Sequence, residues 1–251
     1  MKLTIRVWRQ AGPADKGRYE SHEVDASEHL SLLDLLDRMN DQIVAGGGEP
    51  VEYESDCREG VCGACGVTVN GVPHGPVPQT PSCRQHVRSF AGVKELVIEP
   101  LRSAAFPVVR DLVVDRSALS HLLEVGGTVA VAAGTAPDAD ALPIGHDVAE
   151  RALDYAACIG CGACVAACPN GSAHLFAGAK LAHLAMLPQG STERGRRARA
   201  MITASEVPFG PCSSYGECVQ VCPAGIDLTA VAALHREGLW AWWKGSGAST
   251  P

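Results

Sequence analysis

Cys158-Ile-Gly-Cys161-Gly-Ala-Cys164-Val-Ala-Ala-Cys168-Pro169 sets the plan of the second half of this chain. The spacing is C-x2-C-x2-C-x3-C-P, with which thiolates hold iron–sulfur clusters. Three thiolates two residues apart wrap one cluster only if the backbone between them turns tightly, which accounts for Gly160, Gly162 and the small Ala163. The cysteine before the proline serves the other cluster in two-cluster runs of this kind, so Cys168 predicts a second site downstream.

Residues 212–223 read Cys212-Ser-Ser-Tyr215-Gly-Glu-Cys218-Val-Gln-Val-Cys222-Pro223, the same run with Tyr215 where the second cysteine would stand. With each Cys-Pro serving the opposite site, Cys158, Cys161, Cys164 and Cys222 make one set, and Cys168, Cys212 and Cys218 the other. Four thiolates suit [4Fe–4S]; three suit [3Fe–4S]. The latter lacks the iron that the missing cysteine would hold, and the bulky, non-thiolate Tyr215 helps keep that corner empty.

Toward the N-terminus, Cys57-Arg-Glu-Gly-Val-Cys62-Gly-Ala-Cys65 reads C-x4-C-x2-C, the plant-type [2Fe–2S] spacing, with Cys83 as a fourth ligand. Gly60, Gly63 and Gly66 free the backbone to curl and to aim N–H groups at the cluster sulfurs. Between Cys65 and Cys83 the sequence predicts a strand at Val67-Thr68-Val69, a hairpin turn at Asn70-Gly71, and an insertion-like stretch with Pro73, Pro76, Pro78 and Pro81. The three ligand sets use all eleven cysteines, a count that the spacings alone do not require. Zinc knuckles use two separated C-x2-C pairs, and neither the triple run nor the Cys-Pro endings has a zinc rationale.

The remaining N-terminal residues read as a sheet crossed by one helix. Leu3, Ile5 and Val7 alternate on a first strand, and Arg18–Val24 makes a second, joined to it as an antiparallel hairpin. Ser31 starts a helix, Asp34 forms a near capping box, and Leu32, Leu35, Leu36, Met39 and Ile43 share one face up to Gly46-Gly47-Gly48. Leu96–Glu99 closes the sheet. From His146 a helix with Val148, Ala149, Ala152, Leu153 and Ala156 on its apolar side leads into the cysteine run, and Ala177–Met186 and Leu228–Leu239 repeat Ala and Leu at helical spacing as core. The expected fold class is α+β. A β-grasp, plant-type [2Fe–2S] ferredoxin domain covers residues 1–105, a linker with a short helical element 106–145, and a mainly α-helical, bacterial-type ferredoxin domain with the other two clusters 146–251.

At 251 residues with a formal net charge of −7, the chain does not suit nucleic acid as a partner. The densest basic patch, Arg194, Arg196, Arg197 and Arg199, reads as a solvated surface turn or as a docking surface for an acidic partner or anionic lipid. Residues 1–8 alternate, and Arg6 interrupts the apolar run of an export signal, so thiolate–metal use is expected over disulfides. No stretch approaches the roughly 18 consecutive apolar residues of a membrane span. Three of the four tryptophans crowd into Leu239-Trp240-Ala-Trp242-Trp243-Lys244, a tail that either docks on a partner or membrane interface or folds back onto its own core.

The order of these motifs resembles the iron–sulfur subunit of succinate dehydrogenase and fumarate reductase over nearly the whole chain. The resemblance rests on residues 57–65, on Phe-Pro-Val-Val-Arg-Asp-Leu-Val-Val-Asp-Arg at 106–116, and on both Cys-Pro-terminated runs. It implies that a separate flavoprotein oxidises succinate at FAD, that electrons cross the [2Fe–2S], [4Fe–4S] and [3Fe–4S] clusters in turn, and that quinone in a transmembrane anchor subunit accepts them. It also implies a peripheral place on the cytoplasmic face of the inner (plasma) membrane, and no catalytic residue in this chain. Many members carry a tryptophan five residues after the cysteine matching Cys168 and a histidine directly after the one matching Cys212; here Ala173 and Ser213 stand there, so quinone contacts do not carry over. His174 faces that interface or is a satisfied surface histidine. The competing readings are a fumarate reductase subunit with a thiol donor, whose second run would have its cysteine at Tyr215, and a free-standing ferredoxin carrier.

Overall fold

The computed structural model describes residues 2–128, 144–187 and 191–243. Strand β1 (Lys2–Arg9) buries Leu3, Ile5 and Val7 on one face, as period-two alternation dictates, and pairs antiparallel with β2 (Arg18–Asp25). Helix α1 (Leu32–Ala45) starts at a full capping box. The Asp34 N–H donates to Ser31 Oγ at 3.1 Å, and the Ser31 N–H to the Asp34 carboxylate at 3.0 Å. Leu32, Leu33, Leu35, Leu36 and Met39 bury its inner face. The short strands β3 (Val67–Val69) and β4 (Val72–Pro73) flank the Asn70-Gly71 turn, whose residues sit at φ 50° and 81°. Strand β5 (Glu95–Pro100) lies between β1 and β3 rather than at an edge, so the sheet runs β2-β1-β5-β3-β4 with only the β1–β5 pair parallel.

The stretch beginning at residue 106 carries a hairpin, β6 (Val108–Arg110) and β7 (Val113–Val114), the short helix α2 (Ser117–Leu122) and a π-helical turn at Leu123–Gly127. It straddles two cores: Leu112 belongs to the first, while Phe106, Val108, Val114, Leu119 and Leu122 belong to the second. Asp111, buried at φ 46°, fastens it to the N-terminal half by accepting from the N–H groups of Gln10 (2.8 Å) and Glu52 (3.0 Å). Residues 129–143 of the expected linker lie outside the described residues.

The C-terminal half is helical: α3 (His146–Ala156), α4 (Ala163–Ala167), α5 (His174–Met186), α6 (Ser191–Glu206), α7 (Glu217–Gln220) and α8 (Thr229–Trp243). Buried residues ring α5, which makes it the central helix. At Gly178 a Cβ would stand 2.3 Å from the Ala230 carbonyl oxygen, so a glycine lets α5 and α8 touch backbone to backbone. Leu153, expected on the apolar side of α3, is 61% exposed. The row at i, i+4 and i+7 through Val148, Ala152 and Tyr155 faces inward instead, and Tyr155 Oη lies 2.6 Å from Thr229 Oγ1.

The four arginines expected on a surface turn or docking patch lie on α6 and serve the fold. Arg194 pairs with Glu237 of α8 at 2.7 Å, Arg196 with Glu193 at 2.8 Å, and buried Arg197 donates to the carbonyls of Gly126 and Thr128, both at 2.6 Å. Arg199 donates to the Ala241 carbonyl at 3.1 Å. Among the described residues, no helix is long and apolar enough to cross a membrane.

Candidate iron–sulfur sites

The loop between α1 and β3 carries Cys57, Cys62 and Cys65, and a 3-10 turn at Ser82–Arg84 brings Cys83 against Cys65. Arg58, Gly60 and Gly63 take φ of 53°, 86° and 74°, the left-handed steps that coil this loop. Arg58 is the costly one, and α1 holds it there: its guanidinium donates to the Asp37 carboxylate at 2.6 and 3.1 Å. The N–H groups of Glu59 and Ala64 point at Cys57 and Cys62 Sγ, each at 3.4 Å. The amides of Glu59 and Val61, with the Cys62 thiol beside them, bring the Cys57 thiol down to about 6. Burial pushes Cys65 up to about 12.

The insertion-like stretch before Cys83 is folded by buried Gln85, whose Nε2 donates to the carbonyls of Val77 (3.0 Å) and Thr80 (3.1 Å). Buried His74 accepts the Ser82 N–H at Nδ1, 3.1 Å away, and so fixes the residue next to Cys83. Burial holds His74 down to about 4, as a neutral imidazole. Neither Gln85 nor His74 stood out in the sequence; a polar residue flanking a ligand was the only available signal.

In the C-terminal half the structure sorts seven cysteines into two clefts, each drawing on both runs. Cys158, Cys161, Cys164 and Cys222 line one, walled by Leu175, Phe176 and Ile226. Cys168, Cys212 and Cys218 line another, together with Ser172, His174 and Tyr215. Gly160 and Gly162, at φ 69° and 84°, turn the first run as its spacing requires, and Lys180 donates to the Cys158 carbonyl at 2.9 Å. The runs are knitted beside the second cleft: Asn170 Nδ2 donates to the Pro211 carbonyl at 2.9 Å and to Ser213 Oγ at 2.8 Å. His174 is half-buried, bonded to Ser172 Oγ at 2.7 Å, with its ring 5.5 Å from that of His235, so it is a satisfied histidine at the rim of the second cleft.

Burial pushes the thiol of Cys161 up to about 12, that of Cys164 well above its ordinary value, and those of Cys218 and Cys222 upward. Such thiols gain from a cation that replaces their protons, and the donor set, apolar walls and amides aimed at sulfur suit an iron–sulfur cluster. Among the described residues no three His, Cys, Asp or Glu side chains converge as a single ion demands.

Both halves of the chain are similar to known proteins. A family model described as a 2Fe-2S iron-sulfur cluster binding domain matches residues 4–121, and a 4Fe-4S dicluster domain matches residues 157–226. The fold is shared with a chain of the Mycobacterium smegmatis Sdh1 complex in the apo form, at a TM-score of 0.69 and 20% identity, covering 99% of this chain and 98% of that one. The fumarate reductase iron-sulfur subunit of Escherichia coli O157:H7 is 31% identical over 234 residues, covering 91% of this chain and 89% of that one. The succinate dehydrogenase iron-sulfur subunit of Bacillus subtilis is 30% identical over 245 residues, covering 93% and 92%. Sequence likeness over more than nine-tenths of this chain, at 30–31% identity, places it in the family of succinate dehydrogenase and fumarate reductase iron–sulfur subunits.

Proposed function

We propose that Cys57, Cys62, Cys65 and Cys83 hold [2Fe–2S], Cys158, Cys161, Cys164 and Cys222 hold [4Fe–4S], and Cys168, Cys212 and Cys218 hold [3Fe–4S]. The chain is then the wire between FAD in a partner flavoprotein and quinone at a transmembrane anchor. When bound, the clusters take up and release single electrons, dividing a two-electron oxidation into one-electron steps. The chain's own residues bind and space them: loop amides neutralise thiolate charge at the first site, while Leu175, Phe176 and Ile226 keep water from the second. The observation that carries this reading is the sorting of seven cysteines from two runs into clefts of four and three.

The five-stranded sheet crossed by α1 supports a β-grasp for residues 1–105, with 106–145 joining it to a cluster domain at 146–251. A peripheral seat on the cytoplasmic face of the membrane fits a tail whose Trp242 and Trp243 are 80% and 76% exposed. Lys244, expected to share in that contact, lies outside the described residues.

Anaerobic purification with iron analysis and EPR tests the assignment. Two, four and three irons predict about nine per chain and an oxidised-state [3Fe–4S] signal. Stoichiometric zinc, or no signal in the oxidised protein, would refute it. Tyr215→Cys is expected to convert the third centre toward [4Fe–4S], since Tyr215 lines that cleft between Cys212 and Cys218.

A further inference from the structure

One side chain touches both of the first two cysteine loops, and neither motif includes it. Arg116 stands between β7 and α2, and its side chain is 18% exposed. Nη1 donates to the Gly63 carbonyl at 2.7 Å and to the Cys161 carbonyl at 3.3 Å; Nη2 donates to the Ala64 carbonyl at 3.2 Å and to the Glu54 carboxylate. Gly63 and Ala64 lie between Cys62 and Cys65 of the first site, and Cys161 belongs to the second. The loops are already in contact there, because a Cβ at Gly63 would stand 2.3 Å from the Ile159 carbonyl oxygen and 3.0 Å from the Cys161 nitrogen. A planar fork of five donors spans three carbonyls of two loops and a carboxylate from two nitrogens at once, whereas a lysine has three donors on a single nitrogen and no fixed plane.

The same guanidinium brings a fixed positive charge to a mostly buried place. Among the described residues its one ionic partner, Glu54, is 41% exposed and so compensates it through solvent-screened contact. The charge stands on both sides of the junction, because its nitrogens reach backbone carbonyls of Gly63 and Ala64 in the first loop and of Cys161 in the second. A cation held beside two electron-accepting sites stabilises whichever state carries the extra negative charge.

We propose that Arg116 is a positioning residue that fixes the contact between the first and second cluster-holding loops and whose charge favours the reduced form of both sites. This rests on the ligand assignment proposed above. The test is EPR-monitored redox titration of the purified complex, with iron content and the three cluster signals measured first. Loss of those signals in the unmodified protein would refute the assignment; the potentials then test Arg116.

Arg116→Gln is expected to lower the midpoint potentials of the [2Fe–2S] and [4Fe–4S] centres and leave the [3Fe–4S] centre unchanged. Arg116→Lys should largely restore both potentials, yet leave the amides of residues 63–64 and 159–161 exchanging hydrogen faster than in the parent. Glu54→Gln, which removes the compensating anion and leaves the clamp in place, should shift both potentials upward, and it decides the matter if the Arg116 variants lose their clusters. Unchanged potentials in Glu54→Gln, an equal shift at all three centres in Arg116→Gln, or parent-like exchange in Arg116→Lys would each overturn the proposal.

Discussion

In the N-terminal half, Cys57, Cys62 and Cys65 share one nine-residue loop hung from a sheet whose core is almost entirely Leu, Val, Ile and Phe, with Cys65 and Cys83 its only cysteines. In the C-terminal half the cysteines are wall material. The small core around Leu175, Ala179, Ile226 and Val231 takes in Cys222 and packs against Cys158, Cys164, Cys212 and Cys218, drawn from segments some fifty residues apart. One half is a finished fold that presents a site, and the other is finished by its sites. Removing the metal should therefore act unequally on the two.

The largest expected effect is of that kind. After iron removal by chelation under reducing conditions, amides of α4, α7 and residues 210–226 should lose their hydrogen-exchange protection, while those of β1, β5 and α1 keep theirs. Equal loss in both halves would break the distinction. Next is the join between them. Gly63→Ala forces a Cβ into the Ile159 carbonyl at a φ of 74°, and is expected to cost on the order of 3 kcal/mol, read as a lowered denaturation midpoint together with a disturbed [4Fe–4S] signal.

A third effect belongs to the N-terminal half alone. The unfolded chain binds a proton at His74 near its ordinary 6.5, the folded chain only near 4, so this contribution is intact above 6.5 and is lost as the pH falls. The loss should reach about 2 kcal/mol by pH 5, seen as earlier unfolding of the sheet in acid and flattened by His74→Asn. The smallest effect is at the other end of the chain. Trp242→Ser with Trp243→Ser should leave stability within about 0.5 kcal/mol and the cluster content unchanged, because both rings are exposed, yet weaken co-purification with the anchor. A drop of several kcal/mol would place the rings in the core after all.

The same contrast governs what could be read from the sequence. Strand alternation at Leu3, Ile5 and Val7, the Ser31–Asp34 cap and the Asn70-Gly71 turn are local signals, and each element appeared where those residues put it. The grouping of Cys168 with Cys212 and Cys218 was legible only because the Cys-Pro motif carries information about a distant partner. Leu153 misled because Ala and Leu fill several faces of α3, and the choice among them is made by α5. The basic cluster misled similarly: its partners Glu237, Gly126 and Thr128 lie on other segments, and no local pattern announces them. Arg116 ends the 106–116 stretch that carries the resemblance, but its contacts were hidden for the same reason, since its carbonyl partners carry no side-chain signature.

The crossing of the two runs also sets a schedule for the ribosome. The first proposed site would have its full set of thiols once Cys83 has been made, whereas each C-terminal cleft draws on the run that ends at Cys222. At roughly 5–20 residues per second, the stretch from Cys168 to Cys222 takes about three to ten seconds, during which Cys158, Cys161, Cys164 and Cys168 stand without their partners. The growing chain thus passes through a stage with one completed site and four orphaned thiols, the period in which oxidants or stray metals have the best access to it and in which an iron-delivery or chaperone factor has most to protect.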